Sequence, residues 1–103
     1  MDKKTLEHFQ KIKRLESQNQ RFRKQCEELE KGIAKMQAMV DNLPALETIS
    51  DPHQRFIRLD AEQKLINLKS SLRIARSSIA INIHELEKLG VAQEIPKIVE
   101  PGE

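Results

Sequence analysis

The segment from Pro52 to Leu89 carries two apolar stripes on opposite faces of one helix, and few folds satisfy both. At about 100° per residue, Ile57, Ala61, Leu65, Leu68, Leu72, Ala75, Ile79, Ile83 and Leu86 fall on one narrow arc. Phe56, Leu59, Ile66, Ile74 and Ile81, with Ser70 and Ser77 between them, fall on the arc about 180° away. One neighbouring helix covers one arc, and the other needs a second partner. The pattern predicts association.

The first of those neighbours lies in the same chain. From Leu15 onward, Asn19, Phe22, Cys26, Leu29, Ile33, Met36, Val40 and Leu43 follow at alternating steps of four and three, an unbroken a/d seam. Gly32 costs such a helix about 1 kcal/mol against Ala, too little to break it. Pro44 ends it, because proline disfavours the α conformation at the residue before it and lacks an amide proton. A new start follows at Asp51-Pro52, a capping residue before a proline at the first helical position, with Gln54 placed as in a capping box. Gly90 then supplies a left-handed closing residue and Val91 an apolar contact after it.

The fold class that results is all-α: an antiparallel hairpin with coiled-coil packing, completing a four-helix bundle by association. Residues 1–90 form the hairpin, with helices over about 3–42 and 52–89 and a loop over 43–51. Residues 91–103, with Pro96 and Pro101, read as an extended or disordered tail. A turn centred near residue 47 makes facing positions sum to about 94. That register sets Phe22 near Leu72, Leu29 near Leu65, Leu15 near Ile79 and Cys26 near Leu68, and brings His8 close to His84.

Size and composition agree with this class. A chain of 103 residues and 11.9 kDa holds one domain with a modest core. It is 33% charged, with no Trp or Tyr, as long solvated helices require. No run of about 18 apolar residues is present, and the charged amino terminus lacks a secretory core, so the expectation is a soluble cytoplasmic protein without a membrane role. The lone Cys26 excludes an intramolecular disulfide.

Chemistry-bearing motifs are sparse. The string His84-Glu85-Leu86-Glu87-Lys88 has Lys88 where a zinc-protease helix needs its second histidine. Cys26 lies on the seam, where a thiol acts as a small hydrophobe. Three scattered histidines and no Gly-rich phosphate loop leave no expectation of catalysis, metal or cofactor. Charge is uneven: residues 1–24 hold eight Lys or Arg against three acids, and helix 2 has no acid between Lys69 and Glu85. Lys11, Arg14, Arg21, Arg23, Lys24, Arg73 and Arg76 therefore make one end of the hairpin basic.

Asn19 has two readings: a register-fixing amide in a parallel two-stranded coil, or a weak point of the seam where the amide reaches water. The functional expectation is a non-enzymatic interaction subunit, an adaptor, scaffold or chaperone-like protein. Its partner is a second copy or a helical heteropartner, engaged through Phe56, Leu59, Ile66, Ser70, Ile74, Ser77 and Ile81. The alternative is a nucleic-acid-associated helical protein using the basic end.

Overall fold

The computed structural model describes residues 2–91, and the tail expected beyond Val91 lies outside the described residues. Two helices, α1 (Lys3–Asn42) and α2 (Pro52–Lys88), pack antiparallel as an extended hairpin, joined by a linker that contains a single 3-10 turn, Leu46–Thr48.

Local chemistry sets the helix ends. The Asp2 carboxylate accepts the Thr5 amide at 2.8 Å, which satisfies an orphan donor and offsets Lys3 and Lys4 at the positive end of the macrodipole. The same backbone bond holds the Asp2 carboxyl below its ordinary value. Asp51 caps α2 by accepting the His53 amide at 3.1 Å, with Pro52 in the first turn. At the far end Gly90 takes φ 86°, its amide donates to the Glu87 carbonyl, and the Val91 amide donates to that of Leu86. These two bonds are the Schellman closure that Gly90 and Val91 foretell.

α1 has no basic residue in its last turn, and α2 supplies the missing cation. Arg58 Nη1 lies 3.4, 3.2 and 2.8 Å from the carbonyl oxygens of Val40, Leu43 and Pro44. The guanidinium thereby caps carbonyls at the negative end of α1, that of Val40 being shared with the Leu43 amide. Glu62 holds it from behind, with Oε1 3.0 Å from Arg58 Nε, although that pair lacks the alignment of a hydrogen bond.

The core forms two layers along the seam. Near the open end, Cys26, Leu72, Ala75, Ile79 and Ile83 are buried together, with Phe22, Leu29 and Ile33 packed against them. Near the turn, Val40, Ala61 and Leu65 form the second layer with Ile33, Met36 and Leu43. The large Phe22 thus meets a layer containing the small Ala75, as close packing favours.

The register differs from the one a centred turn implies. Gln18 pairs with Asn82, Gly32 faces Leu68, and Arg58 reaches Val40, so facing positions sum to about 100. Because Arg58 is anchored on the end of α1, the six residues 52–57 overhang that end, and α2 is displaced by about 9 Å at 1.5 Å per residue. Leu29 consequently packs in the layer of Leu72 rather than beside Leu65, and Cys26 joins Leu72 and Ala75 rather than Leu68. His8 moves about 12 Å beyond His84, out of reach of a shared ligand.

Candidate interaction surface

The inner arc of α2 is consumed by α1: Ala61, Leu65, Leu72, Ala75, Ile79, Ile83 and Leu86 are all buried. The outer arc is not. Phe56 is 65% exposed, Leu59 48%, Ile66 56%, Ile74 66% and Ile81 64%, and Ser70 and Ser77 are exposed between them. All seven residues assigned to the interface from the sequence therefore share one open face, and Gln63 joins them at the same spacing. Isolated exposed apolar side chains are ordinary on a protein surface, but a row of them along one helix suggests a protein partner.

α1 has no such second face. Its side away from α2 carries Lys13, Ser17, Gln20, Lys24, Lys31 and Lys35, all exposed. Leu6, Phe9 and Met39 are exposed near its ends, and the Lys13 ammonium sits 5.4 Å from the centroid of the Phe9 ring, within cation–π range.

The basic residues fall on both edges of the seam. On α1, Arg14 and Arg21 lie at one edge of the seam and Arg23 at the other, about 160° away at 100° per residue. Arg76 Nη2 lies 2.9 Å from Glu30 Oε1 and ties the two helices together. Lys11, Lys24 and Arg73 are exposed, Arg73 one turn from Arg76 along α2.

Asn19 is only 2% exposed, so its amide does not reach water; it is enclosed within the hairpin, and neither side-chain polar atom has a hydrogen-bond partner. Beside it, Asn82 is also buried and donates from Nδ2 to Gln18 Oε1 at 3.2 Å. Periodicity misses Asn82, which sits at the rim of the inner arc, and misses the capping role of Arg58.

Burial pushes the Cys26 thiol up from its ordinary value of 9.0, against a smaller lowering by Arg76. Among the described residues no group of three or more His, Cys, Asp or Glu could hold a metal ion. Two open grooves, one along α1 beside Lys13 and Gln20 and one between Met36 and Leu68, are lined by neither histidine nor cysteine. No helix among the described residues is long and apolar enough to cross a membrane. Compared with known proteins, the chain matches no family model, no curated sequence and no solved structure.

Proposed function

We propose that this chain is a non-enzymatic interaction subunit, an adaptor or scaffold that works by laying the outer face of α2 against a helix of another protein chain. The observation that carries the reading is the row from Phe56 to Ile81, exposed on the face of α2 opposite the core. The opposition of the two faces makes α2 the middle helix of at least three. A four-helix assembly built this way is a layer with two inner and two outer helices, because a square bundle needs each helix's contacts on adjoining faces. The nucleic-acid alternative has less support, since its cations are spread around α1 and Arg76 is engaged by Glu30.

A photo-reactive residue in place of Ile74, in the full chain within its source cells, tests the reading. A discrete protein adduct at position 74, absent when the same group replaces Lys24 on the solvated face of α1, is expected. Equal, diffuse labelling from both positions would refute an interaction surface on α2.

A further inference from the structure

Resting on the interaction reading above, we propose that the occupant of the outer face is α2 of a second copy, antiparallel, about a two-fold axis passing at Ser70. The stripe runs Phe56, Leu59, Gln63, Ile66, Ser70, Ile74, Ser77, Ile81 and His84, with steps that read the same from either end. Reversal about Ser70 sets Leu59 opposite the second copy's Ile81 and Ile66 opposite its Ile74. It also sets Gln63 opposite Ser77, so over these central positions apolar meets apolar and polar meets polar, while at each end Phe56 falls opposite His84. An isologous contact demands this self-complementarity, because each residue must suit the one that its own partner position presents.

Closure supports a second copy over an unrelated helix. Each hairpin has one apolar face to cover, and the outward side of α1 is polar through Lys13, Lys24, Lys31 and Lys35. Joining two hairpins through α2 gives the order α1, α2, α2, α1. Both outer helices then turn a solvated side to water and no apolar row is left over. The contact is closed, since among the described residues no second apolar row remains from which a filament could grow.

Charge favours the antiparallel direction, although Arg55 also donates to the Ile49 carbonyl at 3.1 Å and Glu85 lies 3.6 Å from Lys88 of its own helix. Reversal sets Arg55 on the same edge as Glu87 of the second copy, and His53 on the same edge as its Glu85. A parallel pair would gather Glu85 and Glu87 with their own copies. The opposing cost is Lys69 near Arg73 of the second copy beside the axis, where solvent screens the repulsion. Ser70 at the crossing, with Ile66 and Ile74 on either side, permits close approach where two inclined helices come nearest. The strip from Phe56 to His84 is about 42 Å long and about 10 Å wide, a footprint of roughly 400 Å² per copy. The two footprints total about 800 Å², below the roughly 1,000 Å² of a stable interface, so the pairing is weak and depends on protein concentration.

Two measurements test this. The mass of the unaltered chain should rise with concentration from the 11.9 kDa of one chain to twice that value. A monomer throughout overturns self-pairing. The Ile74 photo-adduct then judges the interaction reading separately, since an adduct with a different protein keeps that reading and removes only the second copy.

The direction is read with single cysteines in a Cys26→Ala background of parental helix content. Ser70→Cys should self-link on mild oxidation. Ile66→Cys and Ile74→Cys should each fail alone, because like positions lie about 12 Å apart along the axis, beyond the roughly 7 Å reach of a disulfide. The two mixed together should link. Rapid self-linking of Ile66→Cys alone would mean a parallel pair and would overturn the proposed arrangement.

Discussion

Replacing Asn19 with Leu should stabilise the protein, and the structure gives the size of the effect. Asn19 is 2% exposed with its carboxamide nitrogen and oxygen both unpaired. Burying an amide without hydrogen bonds costs about 1–3 kcal/mol on scales drawn from protein mutants. Leucine removes that cost, branches at the same carbon with the same number of heavy atoms, and suits the seam between Leu15 and Phe22. Its own burial is worth about 1.5–3 kcal/mol, reduced by about 1 kcal/mol or more for imperfect fit beside the polar Gln18–Asn82 pair. These terms span a gain of about 1.5–5 kcal/mol, and a value toward the low end, about 2 kcal/mol, equals a rise in Tm on the order of 10 °C for a domain of this size.

Urea unfolding followed by circular dichroism is the assay, run at one fixed protein concentration because any assembly shifts apparent stability. The midpoint should rise with no change in slope, which separates a gain in stability from a change in surface exposed. Asn19→Ala is the companion variant. It also removes the unpaired amide but leaves a void, so its stability should stay within about 1 kcal/mol of the parent. Destabilisation by Leu would refute the reasoning, because it would mean that the Asn19 amide is satisfied in solution and belongs to the hydrogen-bonded layer of Asn82.

Gly32→Ala should raise stability by about 1 kcal/mol, since a Cβ there meets Leu68 at 3.7 Å, ordinary van der Waals contact, and alanine favours the helix; a lowered urea midpoint would contradict this. Arg58→Ala should cost about 1–2 kcal/mol by leaving the carbonyls of Val40, Leu43 and Pro44 without their charged donor. Hydrogen exchange should locate that loss at the linker and the last turn of α1, and a loss confined to the open end of the hairpin would refute the capping role. Cys26, buried with its thiol pKa raised, should alkylate many-fold more slowly in the folded protein than in urea and should form no linked dimer on mild oxidation. Fast native labelling would show that the seam around Phe22 and Leu29 is open.

What the sequence discloses and what it conceals divide along a physical line. Both helix ends at Asp51-Pro52 and Gly90-Val91 are legible because capping bonds span only a few residues. The two faces of α2 are legible because each is written in a helical period, and burial of Leu72 against exposure of Ile74 follows from a rotation of about 200° between them.

The register is not legible, because it depends on an arginine crossing from one helix to the end of the other, and nothing in the spacing of Arg58 announces that bond. A shift close to one heptad leaves a seam of this kind still apolar against apolar. Hydrophobic pattern alone therefore cannot choose between the two alignments, and polar contacts decide: Arg58 with the α1 carbonyls, Arg76 with Glu30, and Asn82 with Gln18. The same reasoning bears on the outer stripe. In the proposed pairing its apolar row selects the face of α2 that is covered, and polar residues within and beside the row select the register. Those are Ser70 at its centre, Arg55 and His53 at one end, and Glu85 and Glu87 at the other.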